Sequence, residues 1–179
     1  FTVNDAVNGS TNNSAQDYVA WCWRAGGAPS ADGKAMVDGV EKTIAGDAVL
    51  DAGTFTPTRM SVNTKAGFSI ILAPVGTKPG TIPHGLTKTP EFIIQKDIDN
   101  TNNWHVWTKS FLTESDPTAA YLHLHTNGNL DSFSGSGYTV WGSTPTTQTI
   151  GIGHTSSTGS NTIVYAWHSV PGFSAFGSY

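Results

Sequence analysis

The pair His123 and His125 is the clearest candidate for chemistry in this sequence. On a β-strand, residues i and i+2 point to the same face, so both imidazoles could reach one transition metal. A threefold assembly would place three such pairs around its axis, which suits an octahedral ion. Two surface histidines on a polar strand are the simpler interpretation, because the spacing fixes no third ligand. Both interpretations stay open at this stage.

The stretch "DIDNTNN" carries carboxylate and amide oxygens at Asp97, Asp99, Asn100 and Asn102. Such oxygens suit a hard cation such as calcium. An EF-hand loop would need Gly at its sixth position and Glu at its twelfth, and these positions are Asn102 and Thr108. A tight loop between two strands is therefore the favoured prediction, with a cation loop at Asp97 and Asp99 as the alternative.

Groups for acid–base or nucleophilic catalysis form no pattern in the sequence. Glu91, Glu114 and Asp116 lie at strand ends or in turns, and no spacing links them as a carboxylate pair. The turn "GSGY" lacks the G-x-S-x-G context of a serine nucleophile. Cys22, the only cysteine, lies between two tryptophans, so we expect a buried, unreactive thiol. The sequence predicts a protein that is not an enzyme and needs no cofactor.

Aromatic residues are the remaining functional material. In "NNWHVWTKSF" Trp104 alternates with Val106 on the face that we predict to be inward, which leaves Trp107 outward beside His105. An outward ring could stack on a sugar or fill a subunit interface, and the sequence does not choose between the two. The predicted contact residues are Trp107, Tyr121, His105, Asn102 and Asn103.

The elements that must position these residues are short strands. About nine alternating apolar segments occur between residues 17 and 170, with turn signals every 8–12 residues or so. This pattern predicts an all-β fold, an antiparallel β-sandwich of jelly-roll type with little or no helix. Alternation places Phe68, Ile70 and Leu72 on one face, and Phe92 and Ile94 inward. Residues 26–53 read as an excursion with short strands or one helical turn, and residues 74–83 as a loop.

Composition limits the classes of partner. Charged residues make up 12% of the chain, the formal net charge is −4, and no basic cluster is visible. Nucleic-acid binding is therefore not expected, because it needs a Lys/Arg patch to displace counterions. No apolar run is long enough to predict membrane insertion. The first residue is Phe1, so we expect a processed chain or a piece of a longer one.

Two repeats predict the domain organisation. Val19, Trp21 and Trp23 align with Ile163, Tyr165 and Trp167, and "GFS" occurs at residues 67–69 and 172–174. We therefore expect residues 1–66 to hold an N-terminal arm, the closing aromatic strand of a preceding unit and a connector. Residues 67–179 would form the β-sandwich module. The first aromatic copy could instead complete the other sheet of this module, or be donated to a neighbour.

The ordered motifs "YVAWCWRAGG", "MSVNTKAGFSI", "PHGL", "NNWHVWTKSF", "YLHLHTN" and "YAWHSVPGFSAFGSY" carry a family resemblance. Over nearly all of residues 17–179 the chain resembles a repeat-type β domain of tail-fibre and virion structural proteins from marine tailed phages, cyanophages especially. That domain is often found beside concanavalin A-like modules. The resemblance implies an all-β particle component with no known catalytic residues.

The expected function is accordingly a non-enzymatic structural component of a tailed-phage virion. A tail-fibre or surface-appendage module, acting by self-assembly and host-surface contact, is the first expectation. The alternatives are a carbohydrate-binding, lectin-like module and a capsid decoration protein. The expected partners are other virion proteins, copies of the same chain (a trimer among the possibilities) and a host cell-surface glycan, and the expected location is the particle surface.

Overall fold

The computed structural model describes residues 22–124, 128–135 and 137–177, and these residues form an all-β fold. Within them the only helical element is a 3₁₀ helix, Lys109–Thr113. This part of the chain contains no helix with the length and hydropathy that a bilayer span requires. The strands are β1 (Lys34–Val37), β2 (Val40–Thr43), β3 (Arg59–Asn63), β4 (Phe68–Pro74), β5 (Gly80–Pro83), β6 (Phe92–Asp97), β7 (His105–Thr108), β8 (Ala120–His123), β9 (Asp131–Ser132), β10 (Ser134–Gly135), β11 (Tyr138–Thr139), β12 (Thr149–Ile152) and β13 (Asn161–Trp167).

One large sheet organises the fold. Its nine strands follow the order β2-β1-β3-β4-β13-β6-β7-β8-β9. Neighbours are antiparallel except for β1 and β3, which run parallel. Strand β13 lies in the middle, paired along its whole length with β4 and also with β6. Two small sheets, β12-β5 and β10-β11, complete the architecture.

The core lies on one side of this sheet, here called the inner face. Alternate residues of the central strands, such as Val62, Ile71, Ile93 and Val164, are fully buried there. A second layer, made of the β5–β12 sheet and the long connections, packs over them and gives a sandwich-like arrangement. Each large apolar side chain buried in this way contributes roughly 1.5–3 kcal/mol. Core residues of the second layer include Ile44, Leu50, Phe55, Ile82, Leu86, Val140, Trp141, Ile150 and Ile152.

The alternation predicted from sequence is present in β4 and β6, but the inward side predicted for β6 is wrong. Strand β4 buries Ser69, Ile71 and Ala73 in the core, whereas Phe68, Ile70 and Leu72 lie on the opposite, outer face. Strand β6 likewise buries Ile93, Gln95 and Asp97, with Phe92 and Ile94 on the outer face. Both faces of these strands carry apolar side chains, so alternation separates the faces without saying which one is packed.

Residues 26–53, expected to hold short strands or one helical turn, contain the β1–β2 hairpin. Residues 74–83, predicted to be a loop, contain β5. At Gly80 a Cβ would lie 2.1 Å from Cζ of Phe55, so this glycine permits a close approach and is not a loop signal. Pro83 is tolerated because β5 is an edge strand, paired only with β12.

The structure also differs from the domain boundary expected between residues 66 and 67. That boundary falls in the turn that joins β3 to β4, two hydrogen-bonded neighbours in one sheet. Ile44, Leu50 and Met60 belong to the same core as Ile71 and Ile93. Residues 22–66 are therefore part of the module. Of the first aromatic copy, residues 17–21 lie outside the described residues, and Trp23 lies in no strand.

A candidate contact surface

Asp97, at the end of β6, is the centre of a dense hydrogen-bond network. Its buried carboxylate accepts hydrogen bonds from the backbone N–H groups of Ser157 at 2.9 Å and Asp99 at 3.1 Å. It also accepts them from the Ser160 hydroxyl at 2.9 Å and from the side-chain amides of Asn100 at 3.1 Å and Asn102 at 2.9 Å. Burial by itself raises the pKa of this carboxyl, but the hydrogen bonds outweigh it and lower the pKa to about 2.

This network gives the Asp97 carboxylate a structural role, and the cation loop at Asp97 and Asp99 stays a prediction. The atoms around the Asp97 carboxylate are N–H and O–H donors, whereas a hard cation needs oxygen lone pairs. Asp99 accepts hydrogen bonds from the backbone N–H of Asn161 at 2.7 Å and from its side-chain amide at 2.9 Å. Both carboxylates therefore hold loops together, and the tight-loop prediction fits the geometry.

The network fixes one end of the large sheet, here called the loop end and consisting of residues 98–104. Asn102 also donates to the Ser157 hydroxyl, so the loop end is tied to the connection before β13. The Lys96 ammonium group donates to the Asn100 carbonyl at 2.8 Å and to the Asp97 carbonyl. Above these anchors the loop leaves its tip in solvent, with Ile98 49% exposed. Asp99, Asn100, Thr101 and Asn103 are exposed as well.

Trp107 corrects the predicted contact face. Its side chain is 1% exposed, and its indole N–H donates to the Pro117 carbonyl at 3.3 Å. It pairs with Ile93, which places it on the inner face, and Phe111 of the 3₁₀ helix packs edge-on against it. The ring therefore belongs to the core and cannot contact a glycan or another subunit. The prediction failed because it assigned the inward side of β7 to Trp104.

The structure brings three of the other predicted residues together. His105 lies opposite His123 on β8, and the ring of Tyr121 packs against both, with centroids 5.4 and 5.0 Å away. The Tyr121 hydroxyl donates to a carboxylate oxygen of Asp131 at 3.0 Å. Burial, together with this carboxylate, raises the pKa of Tyr121. Because paired residues share a face, and His105 pairs with buried Gln95, the cluster lies on the inner-face side.

The cluster of His105, Tyr121 and His123 contains only one of the two histidines of the predicted metal site. His125 lies outside the described residues. In the described ranges, no three His, Cys, Asp or Glu side chains come together in a ligand set. The metal site at His123 and His125 therefore stays a prediction.

Two of the carboxylates considered for catalysis, Glu91 and Asp116, have structural partners. Glu91 forms an ion pair with Lys109 at 2.7 Å and accepts hydrogen bonds from the backbone N–H and hydroxyl of Ser169. Burial raises the pKa of Glu91, but these partners outweigh it and the pKa is lowered overall. Asp116 accepts from the Thr118 hydroxyl at 2.7 Å within a turn. These contacts join β6 to the segment after β13 and hold the turn before β8.

A surface that the sequence analysis missed lies on the outer face of the large sheet. Trp167 stacks on Phe68 with ring centroids 4.8 Å apart, and Trp23 packs edge-on against it at 5.5 Å. Phe92 lies 5.5 Å away and is itself stacked by Phe176 at 5.7 Å. Towards β8 this surface becomes a groove of about 420 Å³. The groove is lined by Cys22, Trp23, Phe68, Ile70, Ile94, Trp104, Leu124, Tyr165 and Trp167.

Cys22, expected to be buried, is exposed at the border of this groove. The signal for the surface was present in the sequence. In β4 and β13 the aromatic rings occupy one set of alternate positions, and the other set includes smaller residues such as Ser69 and Ala166. Small residues allow a second layer to pack closely over the sheet, so they mark the inner face.

Comparison with known proteins gives one match. The model of a family described as a domain of unknown function (DUF7483) matches residues 1–179. No curated protein and no solved structure matches the chain. These comparisons supply a family but no activity, ligand or partner that could be carried over.

Proposed function

Because the chain belongs to the DUF7483 family, whose function is unknown, we propose from its own geometry that it is a non-enzymatic contact module. In this proposal it is a structural component of a tailed-phage virion, in a tail fibre or surface appendage. It assembles with other virion proteins, including copies of itself, and presents the loop end to the host surface. Its location is the surface of the particle.

The observation that carries this proposal is the loop end held by Asp97. A loop that is ordered before binding loses less conformational entropy when it meets a partner, so more of the contact energy appears as affinity. Here one buried carboxylate collects hydrogen bonds from both neighbouring connections, while Ile98, Thr101 and Asn103 remain exposed above it. A rigid base beneath exposed polar and apolar side chains is typical of a binding surface carried on a scaffold.

The virion part of the proposal is supported by the resemblance of the ordered motifs to phage tail-fibre domains. Composition is consistent with it. A surface rich in Ser, Thr and Asn with 12% charged residues depends little on charge, so its solubility changes little with salt. Assembly with copies of the chain is tested by measuring the solution mass by light scattering over a range of concentrations. A monomer at every concentration would contradict that part.

The contact role is tested at the loop end with a matched pair of variants. Asn103→Lys adds a charge to the exposed tip, and Thr87→Lys adds one to an exposed residue just before the opposite end of β6. Binding of labelled protein to whole cells of marine bacterial hosts and to a glycan panel is measured for both. We expect Asn103→Lys to weaken cell binding tenfold or more and Thr87→Lys to leave it unchanged.

Equal binding by the two variants would overturn the assignment of the contact to the loop end. Binding to one defined glycan, lost in Asn103→Lys, would assign the module to the carbohydrate-binding alternative. Release of oligosaccharide from the glycan panel would contradict the non-enzymatic proposal.

A further inference from the structure

We propose that His105 and His123, which lie opposite each other on strands β7 and β8, hold a divalent transition-metal ion such as zinc. The two imidazoles are the protein ligands, and water fills the other coordination positions. This pair is created by strand pairing, whereas the sequence analysis paired His123 with His125. The proposal does not depend on the function proposed above.

Strand pairing brings these two histidines together. His105 and His123 are directly opposite residues of two antiparallel strands, so their side chains leave the same face of the sheet. Opposite residues of this kind have Cβ atoms about 4.5–5.5 Å apart. The two histidines are 18 positions apart in the chain (123 − 105), so no short sequence motif contains both.

The separation of the two rings suits a shared metal ion. A zinc–nitrogen bond is about 2.0–2.1 Å long, so the centre of a bound imidazole ring lies about 3.2 Å from the metal. Two such rings at the tetrahedral angle have centres about 5.2 Å apart. The ring centroids of His105 and His123 are 5.5 Å apart, with the ring planes inclined at 52°. Small changes of the side-chain torsion angles are therefore enough to bring both rings onto one metal.

Tyr121 holds both imidazole rings in place. Its own ring packs edge-on against His105 and His123, and its hydroxyl is fixed by the hydrogen bond to Asp131. All three rings are half-buried. Ligands that are already ordered lose less conformational entropy when a metal binds. The Asp131 carboxylate also places a negative charge near the pair, which favours a dication there.

Gln95 provides an independent observation. It is fully buried and lies opposite His105 on the neighbouring strand β6. Its side-chain amide donates to the Ser156 hydroxyl, but its Oε1 atom accepts no hydrogen bond from the described residues. Buried acceptors are usually paired. A metal-bound imidazole commonly donates its other ring N–H to an oxygen of this kind, so Gln95 is placed to orient His105 when a metal is bound.

The ligand chemistry selects the class of metal. Zinc, nickel and copper ions bind imidazole nitrogen well, whereas calcium and magnesium prefer oxygen. Tyr121 keeps its proton, because burial and the Asp131 carboxylate raise its pKa, so it positions the ligands and does not coordinate. A bound metal would join β7 to β8 directly beside the loop end, whose last residue precedes His105.

The first test measures zinc binding to full-length variants by isothermal titration calorimetry. His105→Gln and His123→Gln should each weaken zinc binding tenfold or more. His154→Gln is the matched control, because His154 is an exposed histidine that follows β12, and it should leave the affinity unchanged. Binding that is kept in His105→Gln but lost in His123→Gln and His125→Gln would assign the metal to the pair along the strand and overturn the proposal.

The second test uses the wild-type chain, so it does not depend on a variant that folds. A metal that joins β7 to β8 should slow amide hydrogen exchange in peptides covering residues 104–109 and 119–124 at least threefold when zinc is added. A peptide covering residues 34–43, in β1 and β2, should be unaffected, and magnesium should protect none of the three. Unchanged exchange in the β7 and β8 peptides, or slowing that is confined to the β1–β2 peptide, would overturn the proposal.

Discussion

The two faces of the large sheet are built from the same strands but in different ways. The inner face carries aliphatic and small side chains under a complete second layer, and residues such as Ile71, Ile93 and Val164 are wholly buried. The outer face carries rings from β4, β6 and β13, which cover one another and leave Leu124 exposed. Two equally apolar side chains on opposite faces of the sheet can therefore bury different amounts of apolar area, and the buried area decides how much each contributes to stability.

The adjacent residues Ile93 and Ile94 give the largest and most direct test of this difference. Ile93→Ala leaves a cavity in a packed core and should reduce the free energy of unfolding by about 3–4 kcal/mol. Ile94→Ala removes the same atoms from the half-buried outer face and should cost about 1 kcal/mol. Urea unfolding monitored by circular dichroism measures both. Equal losses would show that the outer face is as completely covered as the inner one.

The second layer over the inner face contains a titratable group, His84, and this predicts a response to acid. The His84 Nδ1 accepts a hydrogen bond from the Leu86 backbone N–H, and Nε2–H donates to the Thr146 carbonyl, so the folded state holds the neutral ring. Burial, with a smaller contribution from His168, outweighs the Thr146 bond and lowers the pKa of His84 from 6.5 to about 4. The unfolded chain binds this proton first as the pH falls.

The contribution of His84 to stability is therefore complete above about pH 6.5 and is lost as the pH falls towards 4. The loss over that window should reach about 3 kcal/mol. His84→Gln cannot titrate and should be less stable at pH 7, with a shallower dependence of unfolding free energy on pH between 6.5 and 4. Parallel pH profiles for the variant and the wild type would contradict this account.

Replacing Asp97 should have a smaller effect on the free energy of unfolding, and this effect depends on pH in a lower range. Its pKa is lowered from 3.8 to about 2, so its contribution is present above about pH 4 and is lost as the pH falls through 2. Asp97→Asn should reduce stability at pH 7 by about 2 kcal/mol, and the difference from wild type should shrink below pH 4. Denaturant unfolding at pH 7, 4 and 2.5 measures it. Asp99→Asn, at an exposed position, is the control, and a loss as large as that of Asp97→Asn would contradict the central role of Asp97.

The smallest effect is expected where the last described residues meet the outer face. Phe176→Ala removes the ring that stacks on Phe92 and should cost about 1 kcal/mol. Phe173→Ala is the matched control, because Phe173 is 65% exposed, and it should change stability by less than about 0.5 kcal/mol. Thermal unfolding of both variants measures the pair. Equal stability of Phe176→Ala and Phe173→Ala would show that the stacking of the Phe176 ring on Phe92 adds nothing measurable to stability.

The sequence predicted the all-β class and most of the strands of the large sheet, because alternation of apolar and polar residues follows directly from strand geometry. It did not correctly predict which side is inward at Ile70, Ile94 or Trp107. Both sides of these strands carry apolar residues, and only the second layer that packs over one side distinguishes them. Because of the same ambiguity the sequence assigned Trp107 to the contact surface, whereas in the structure its ring is buried in the core.

At the candidate site, local sequence predicted a tight loop at residues 97–103 but not its anchor. Ser157 and Ser160 are about sixty positions away from Asp97 along the chain and meet it only through the pairing of β6 with β13. Contacts of this kind depend on strand order, which the residue pattern does not encode. The aromatic copies near residues 23 and 167 were recognised as related, and the structure brings Trp23 and Trp167 into contact.

The position of β13 has a consequence for how the chain folds. This strand is the last of the described ones in sequence, yet it is inserted between β4 and β6, and no other strand joins β1–β4 to β6–β9 within the large sheet. Until residues 161–167 are available, each half presents an unpaired edge that invites association with another molecule. Refolding should therefore be slow and sensitive to protein concentration, and on the ribosome the sheet can close only after nearly the whole module has been synthesised.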